Sequence, residues 1–376
     1  MDRARAKRIE NPQAADPASF AQATAYAGDH GRRIGRNNHT AAGGARFARE
    51  NDIQVHSRIF YNTQVPERTE KLLCVMLTFQ CTAECENCGT VSSPRDQTWL
   101  APERALAAID EAADLDYTGV VFTGGEATLA GPVLTQAMRH AASRSFPVRL
   151  VTNGHWAVDD ISAESMLFEW MCAGLCELNV STGDRHARFV PLESAVRAAS
   201  AADRLSLPVT VLVEHADHDE ITAATVRERL EGTSVRILEW VWSSLAALPK
   251  TTLRGAVNRS NLNQCTGCDG IFSNTTVQPN GLISPCCGLG IRFIPDLQIG
   301  RLGSDRLEDA VRRAEEDRLK RRIREEGPER ILAWAAGRDP RIQWENLYVH
   351  RCHACVRLYK DPMVREVLAS AKVGCA

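Results

Sequence analysis

The sequence predicts an α/β fold built on a parallel sheet, and two patterns along the chain indicate it. Between about residue 71 and residue 250, short apolar runs of strand type alternate with longer amphipathic stretches of helix type. Several of the apolar runs end in polar, glycine-containing segments. Strands that alternate with helices are typical of βα units, whose strands lie parallel in one sheet.

Six strands and five helices are predicted in this part of the chain. The predicted strands are Leu72–Leu77, Val120–Phe122, Val148–Thr152, Leu178–Ser181, Val209–Val213 and Val235–Trp240. The predicted helices are Pro102–Leu115, Val133–Ser143, Ala163–Ala173, Pro191–Leu205 and Ile221–Leu230. Ligand sites of parallel α/β folds lie at the carboxyl ends of the strands, so functional residues are expected there.

The chain is predicted to have three parts. Residues 1–70 are rich in Ala, Arg, Gly and Asn and have weak periodicity, which indicates a partly disordered extension of unknown role with one helix over Pro17–Tyr26. Residues 71–250 form the repeated α/β unit. Residues 251–376 form a cysteine-rich second unit, in which Leu307–Glu326 is predicted to be a charged, solvated helix.

Composition excludes several classes of function. The formal net charge of −2 is not that of a strongly basic protein, as expected for nucleic-acid binding. No run of about 18 apolar residues exists, so no membrane span is expected. The amino terminus is charged and lacks the apolar segment of a secretion signal, which predicts a cytoplasmic protein. In a reducing compartment, 13 cysteines indicate metal or redox chemistry and not disulfides.

Three of the cysteines lie in one stretch of eight residues that comes soon after the first predicted strand. Cys81, Cys85 and Cys88 have the spacing C-x3-C-x2-C. A structural zinc site normally has four protein ligands, and so does an iron–sulfur cubane that only carries electrons. Three thiolates on one tight loop therefore predict a cubane with one iron left open for a substrate or cofactor.

The run Thr123-Gly124-Gly125-Glu126 ends the second predicted strand. With this run and the cysteine loop, the chain resembles the radical S-adenosylmethionine (radical SAM) superfamily over roughly residues 71–250. The resemblance implies an open, partial (β/α)6 TIM-like barrel and a [4Fe–4S] cluster on the three cysteines. SAM would chelate the open iron, the Gly-Gly-Glu strand end would hold its amino group, and the reduced cluster would generate a 5′-deoxyadenosyl radical.

Further site residues are implied by the same resemblance. Thr152 and Asn153 end the third strand, where the family contacts the SAM ribose or carboxylate, although a plain turn is the alternative. Ser181 ends the next strand and is expected to touch SAM, with Asp184, Arg185 and His186 toward substrate or in helix capping. The family has an aromatic residue before its third cysteine, and Asn87 stands there instead, which implies a different adenine contact. Ala127 replaces the family's usual proline after Gly-Gly-Glu.

The cysteines of the second unit resemble a Twitch extension, the short relative of the SPASM auxiliary-cluster domain. The layout is C-x12-G-x4-C followed by C-x2-C, and the four ligands that it implies for an auxiliary [4Fe–4S] cluster are Cys268, Cys286, Cys352 and Cys355. Either Cys265 or Cys287 could replace one of them. A zinc ribbon of two cysteine pairs is the alternative.

The remaining cysteines and several histidines are predicted to have no ligand role. Cys74 is expected in the core, and Cys172 and Cys176 are predicted to be buried on one apolar helix. Cys375 is expected in a disordered tail, and an unligated Cys265 or Cys287 near the pocket could donate hydrogen to a substrate radical. The histidines without a partner pattern are His215, His218 and His353.

The predicted function is oxidative modification of a peptide, by crosslinking or oxidation, in natural-product maturation. The resemblance implies that an auxiliary cluster accepts an electron from the substrate radical and that a flavodoxin or ferredoxin-type donor reduces the first cluster. The alternative is a small-molecule dehydrogenase, because the spacing of the C-terminal cysteines looks much like that of the aminocyclitol dehydrogenase of antibiotic biosynthesis. A non-enzymatic iron–sulfur or zinc protein would explain the cysteines but not Gly124-Gly125-Glu126.

Overall fold

The computed structural model describes residues 70–86, 88–216, 219–241 and 256–373. The predictions for residues 1–69 and 242–255, and for Asn87, His218 and Cys375, lie outside the described residues. The boundary that the sequence places near residue 250 is among them, so the division into domains stays a prediction. Within the described part of the chain, no helix combines the length and apolar character that a membrane span requires.

Nine strands of the described residues form one sheet, with the order β6-β5-β4-β3-β2-β1-β7-β8-β9. The strands are β1 (Leu72–Met76), β2 (Gly119–Thr123), β3 (Val148–Thr152), β4 (Leu175–Thr182), β5 (Val209–His215), β6 (Arg236–Val241), β7 (Asn274–Val277), β8 (Leu282–Ser284) and β9 (Gly300–Arg301). β1 to β7 pair in parallel, and β8 and β9 add an antiparallel edge. The prediction of an open, mostly parallel α/β sheet is confirmed.

The helices of the described residues alternate with the first six strands and then cluster at the C-terminus. They are α1 (Pro102–Ala113), α2 (Pro132–Ser143), α3 (Asp160–Cys172), α4 (Asp184–Ala187), α5 (Leu192–Arg204), α6 (Ala223–Arg229), α7 (Leu307–Glu315), α8 (Arg318–Glu325), α9 (Pro328–Ala336), α10 (Arg351–Lys360) and α11 (Pro362–Val373). The five helices predicted before residue 250 correspond to α1, α2, α3, α5 and α6.

The alternation of side chains along β1 separates two packing layers. Leu73 and Val75 point to the large apolar core that the helices cover. Leu72 and Cys74 point to the opposite, concave face of the sheet, where they pack with Val121. Burial of Cys74 in the core is therefore confirmed, on the concave side. β7 hydrogen-bonds to β1 in parallel, so the cysteine-rich segment extends the same sheet.

Two predicted helices differ from the observed ones. The charged helix is divided into α7 and α8, because the Asp317 carboxylate accepts a hydrogen bond from the Lys320 backbone N–H at 2.9 Å and so starts a new helix. The prediction that Cys172 and Cys176 are buried on one helix is wrong: Cys172 ends α3, Cys176 lies in β4, and both are exposed. Gly174 breaks the helix between them, with a φ of 107°.

Candidate active site

The carboxyl ends of the parallel strands surround one cavity, as the sequence predicts for the site. Eight of the predicted site residues line it: Cys81, Cys85, Cys88, Gly124, Gly125, Thr152, Asn153 and Ser181. Side chains from later in the chain complete the wall, among them His186, Glu214, Trp240, Leu289 and His353. Residues from positions 81 to 353 thus meet at a single edge of the sheet.

The three cysteines of the loop are partly buried thiols held by local hydrogen bonds. The Cys81 sulfur accepts from the Ala83 N–H at 3.4 Å, and the Cys88 sulfur accepts from the Ser92 N–H at 3.4 Å. The Cys85 thiol donates to the Arg185 carbonyl at 3.8 Å. Burial raises the pKa of Cys81 to about 11 and that of Cys85 to about 12, so binding of iron would have to displace their protons.

The two glycines of the Gly-Gly-Glu run bring the end of β2 against the segment that leads into the cysteine loop. A Cβ at Gly125 would lie 2.1 Å from the Gln80 carbonyl oxygen, and one at Gly124 would lie 2.5 Å from the Thr78 carbonyl oxygen. The Gly125 N–H donates to that Thr78 oxygen at 2.7 Å. The close approach is therefore between two backbone segments, and it fixes where the loop begins.

Glu126 lies behind the cavity and binds the protein itself. Its carboxylate accepts from the Thr128 hydroxyl at 2.7 Å, the Thr128 N–H at 3.1 Å, the Thr152 hydroxyl at 2.9 Å and the Asn153 N–H at 2.8 Å. The residue is only 1% exposed. In this arrangement Glu126 positions the end of β3, whereas the sequence predicts it as the acceptor for the SAM ammonium group.

The end of β3, which Glu126 holds, in turn contacts the cysteine loop. The Asn153 side-chain amide donates to the Thr82 hydroxyl at 3.0 Å and lies 3.7 Å from the Cys81 sulfur. The Thr152 hydroxyl accepts from the Trp156 indole N–H at 3.1 Å. A chain of contacts therefore runs from Glu126 through β3 to the first cysteine.

We expect Glu126→Gln to lower both the stability of the chain and its affinity for SAM. The amide keeps one acceptor oxygen and places an NH₂ donor where the other oxygen now accepts at least one of the four hydrogen bonds. The remaining bonds lose the charge of the carboxylate, and hydrogen bonds to charged groups contribute about 1.5–3 kcal/mol each. Chemical denaturation and SAM titration measure the two effects. Glu169→Gln is the matched control, because Glu169 accepts one hydrogen bond, from Thr135, outside this cavity. Equal stabilities for the two variants would contradict the role given to Glu126.

The residues after β4 make two kinds of contact, one with the cavity and one with a neighbouring segment. His186 lines the cavity, 3.7 Å from the Glu214 carboxylate, and burial lowers the pKa of its imidazole to about 4, so the ring is neutral at pH 7. Asp184 accepts from the backbone N–H groups of Glu220 and Ile221, and Arg185 forms an ion pair with Asp219. Asp184 and Arg185 thus hold the segment after β5, and His186 is the one that faces the cavity.

Four thiols come together in the cysteine-rich segment. They belong to Cys268, Cys286, Cys352 and Cys355, and we call them the tetrad. A Cβ added at Gly288 would lie 3.2 Å from the Cys352 sulfur and 3.5 Å from the Cys286 sulfur, so both sulfurs border one glycine. Burial, followed by the charges of the other tetrad thiols, raises the pKa of Cys352 and Cys355 well above the usual range.

Cys265 and Cys287 lie in other surroundings. Cys287 is adjacent to Cys286 but hydrogen-bonds to Cys74 on the concave face of the sheet. Burial raises the pKa of Cys265 to about 11, and the charged groups acting on it are Glu329, Arg330 and Arg351. These positions favour the predicted tetrad over either substitute.

The donor chemistry of both cysteine sets fits iron–sulfur clusters. Within the described residues, no three His, Cys, Asp or Glu side chains are spaced to hold a single metal ion. In a cubane each thiolate binds its own iron, so its ligands lie further apart than those of one ion. Arg351 forms a hydrogen bond to Cys268 and thereby supplies positive charge beside the four thiols.

Arg292 connects the segment after Cys286 to the three-cysteine loop. Its guanidinium donates to the Thr90 carbonyl at 3.0 Å and to the Asp96 carboxylate at 2.7 Å, and it lies 3.9 Å from the centre of the Phe79 ring. The Gly290 N–H also donates to the Gly89 carbonyl at 2.9 Å. The segment that follows Cys286 of the tetrad therefore holds the three-cysteine loop in place.

Replacing Arg292 with methionine is expected to cost about 2–3 kcal/mol of stability at pH 7 and to reduce iron loading of the loop. Burial alone would raise the pKa of Asp96, but hydrogen bonds from Thr98 and Arg292 lower it below its ordinary value of 3.8. A lowered carboxyl pKa stabilises the fold above that value, and this contribution disappears as pH falls. The difference from the parent chain should therefore shrink below about pH 4, as urea unfolding across pH would show.

Arg301→Met is the control for this variant. The Arg301 guanidinium donates to the Asn280 carbonyl at 2.9 Å on an exposed edge. We expect it to change stability by less than about 0.5 kcal/mol. A pH-independent loss in the Arg292 variant would contradict the part assigned to Asp96.

Comparisons with known proteins agree with the class that the motifs indicate. No family model matches the chain. The chain is 22% identical over 231 residues to YydG of Bacillus subtilis (strain 168), provisionally described as a peptide biosynthesis protein; the match covers 59% of this chain and 70% of YydG. Among solved structures, BtrN in complex with AdoMet and 2-DOIA is 15% identical, covers 68% of this chain and 88% of its own, and has a TM-score of 0.43.

A second solved structure, anSMEcpe with bound AdoMet and Cp18Cys peptide, is 13% identical, with coverage of 67% and 81% and a TM-score of 0.45. The structural neighbours are radical SAM enzymes. The similarity of this chain to that class, recognised from the cysteine loop and the Gly-Gly-Glu run, is confirmed.

Several residues that line the cavity are not among those that the sequence predicts. Glu214, Trp240 and Leu289 were not predicted, and His353 was predicted to have no ligand role but lines the cavity. One signal for Glu214 and Trp240 was available, since each lies at or near the carboxyl end of a strand. The roles of the predicted ligands and SAM contacts stay predictions.

Proposed function

We propose that this chain is a radical SAM enzyme that oxidatively modifies a peptide and holds an auxiliary [4Fe–4S] cluster on the tetrad. The observation that carries the proposal is that the three-cysteine loop lines a cavity whose wall also includes neighbours of the tetrad. Leu289 follows Cys286 and Cys287 in the chain, and His353 follows Cys352. A substrate in this cavity would lie near the radical source and near the residues beside the electron acceptor.

When bound, the first cluster and SAM would supply the 5′-deoxyadenosyl radical that removes a hydrogen atom from the substrate. The residues of the chain would bind and orient. Glu126 fixes the end of β3 by four hydrogen bonds, and Asn153 connects β3 to the loop at Thr82. Gly124 and Gly125 set the start of the loop by backbone contact.

The concave face of the sheet favours a peptide as substrate. A second cavity of about 1130 Å³ extends along this face and shares Val151, Ser181 and Leu212 with the site cavity. Pockets for small ligands are typically about 300–1,000 Å³. A cavity of this size has room for a length of extended chain. The similarity to YydG, described provisionally in peptide biosynthesis, supports the same substrate class.

The second candidate is oxidation of a small molecule such as an aminocyclitol. It is favoured by the arrangement of the tetrad cysteines, Cys268, Cys286, Cys352 and Cys355, along the sequence. The spacing of these four cysteines is what resembles the aminocyclitol dehydrogenase. A flavodoxin or ferredoxin-type donor is proposed for either reaction.

The test compares two substrates under anaerobic, reducing conditions with SAM. One is a synthetic peptide that represents any short precursor found encoded beside the gene, and the other is 2-deoxy-scyllo-inosamine. Peptide modification predicts formation of 5′-deoxyadenosine together with loss of two hydrogens from the peptide by mass spectrometry. Oxidation of the aminocyclitol alone would select the second candidate. A peptide of unchanged mass but altered stereochemistry would replace oxidation with epimerisation, and absence of 5′-deoxyadenosine in every reaction would overturn the class.

A further inference from the structure

Tyr359 has a buried hydroxyl group for which the described residues offer no hydrogen-bond partner. The residue lies in α10, one turn after Cys355, and is 5% exposed. Its hydroxyl oxygen is inaccessible to water and makes no hydrogen bond to the described protein groups. Buried polar groups are nearly always paired, so an orphan hydroxyl indicates a partner that the protein atoms alone do not include.

In the described part of the chain, the other two tyrosines have hydroxyl groups that are hydrogen-bonded. The Tyr117 hydroxyl donates to the Thr275 hydroxyl at 2.6 Å. The Tyr348 hydroxyl accepts from the Arg357 guanidinium at 2.6 Å. Both residues are buried and their hydroxyls are hydrogen-bonded, whereas the buried hydroxyl of Tyr359 is not. The missing partner is therefore a feature of its particular surroundings.

These surroundings include two thiols of the tetrad and, on another side of the residue, a pocket that Asp296 and Arg322 also line. Residues four apart on a helix lie on the same face, which places Tyr359 next to Cys355. Tyr359 belongs to the apolar cluster against which Cys286 and Cys355 pack. A phenol hydroxyl carries its proton at neutral pH, so the Tyr359 hydroxyl can act as a hydrogen-bond donor.

We propose that the Tyr359 hydroxyl donates a hydrogen bond to a sulfur of the iron–sulfur cluster held by the tetrad, and that this bond raises the reduction potential of the cluster. The inference rests on the proposed function, because it needs the auxiliary cluster. A hydrogen bond to a cluster sulfur stabilises the reduced state, which carries one more negative charge. Tyr359 is thus a positioning and tuning residue that makes the cluster a better electron acceptor.

The test is the reduction potential of the auxiliary cluster in the reconstituted full chain, measured by redox titration with electron paramagnetic resonance. In Tyr359→Phe we expect this potential to shift to a lower value while the potential of the first cluster and the iron content stay unchanged. After exchange into deuterated water, pulsed spectra of the parent chain should show a deuteron coupled to the cluster, and the phenylalanine variant should lose it.

Tyr348→Phe is the matched control, because it removes a buried hydroxyl that already has a partner, Arg357. It should lower thermal stability and leave both potentials unchanged. An unchanged auxiliary potential and a retained deuteron signal in Tyr359→Phe would overturn the inference alone. A parent chain that binds no second cluster after reconstitution would overturn both the inference and the proposed auxiliary site.

Discussion

Replacing Cys81, Cys85 and Cys88 together with alanine is expected to lower the iron content of the anaerobically reconstituted chain from about eight to about four per molecule. Cleavage of SAM should fall to background. The physical reason is the separation of the two thiol sets: the tetrad is bordered by Gly288 and does not share a ligand with the loop. Iron and acid-labile sulfide analysis, with zinc measured in the same samples, checks the result.

A Cys268/Cys286 double alanine variant is the matched control. We expect it to retain about four irons and the ability to cleave SAM, but to lose the oxidised product, because the electron acceptor is gone. In the triple variant, a fall from about four irons to nearly none, with zinc retained, would show that the tetrad is a structural zinc site. A redox-neutral reaction would then be the better proposal.

The strands and helices of the α/β repeat could be predicted because their signals are local. Each of the six predicted strands overlaps an observed one, since each is a short, largely apolar run between breakers. The division of the charged helix could not be found from periodicity, because apolar residues recur at helical spacing through Asp317 and only its cap to the Lys320 N–H separates α7 from α8.

Eight of the predicted site residues line one cavity, and their roles stay predictions. Spacing alone brings Cys81, Cys85 and Cys88 to one loop, but it does not distinguish Cys286 from Cys287. Neighbours in an extended segment point to opposite sides, and here Cys287 meets Cys74 across the concave face. His353 was missed for a similar reason, since its place in the cavity depends on how α10 packs, over 260 residues from the loop.

The two glycines of the Gly-Gly-Glu run have a structural role that the sequence analysis does not include. The resemblance implies only that this strand end holds the amino group of SAM. In the structure Gly124 and Gly125 give close approach to the backbone of Thr78 and Gln80, which carries the chain into the cysteine loop. The same two residues therefore control whether the loop can form, before any ligand binds.

Gly125→Ala is accordingly expected to destabilise the chain by about 3 kcal/mol or more and to abolish cleavage of SAM. The added Cβ would lie 2.1 Å from the Gln80 carbonyl oxygen, 2.6 Å from its carbon and 2.7 Å from the Phe79 carbonyl oxygen. All three are backbone atoms, which cannot rotate away as a side chain would. The strand end and the loop entry must therefore move apart, and the hydrogen bond from the Glu126 N–H to the Gln80 carbonyl, 2.8 Å, is lost.

Chemical denaturation of the metal-free chain isolates this effect from any contribution of the cluster. Gly337→Ala is the control: Gly337 has a φ of −66°, and its nearest neighbour to an added Cβ is the Trp334 carbonyl oxygen at 3.4 Å. At this position alanine reduces the conformational freedom of the unfolded chain. The free energy of unfolding should therefore stay unchanged or rise by up to about 1 kcal/mol. If Gly125→Ala instead unfolds at the same denaturant concentration as Gly337→Ala and still cleaves SAM, backbone contact with Gln80 is not what the glycine provides, and approach to a ligand becomes the better explanation.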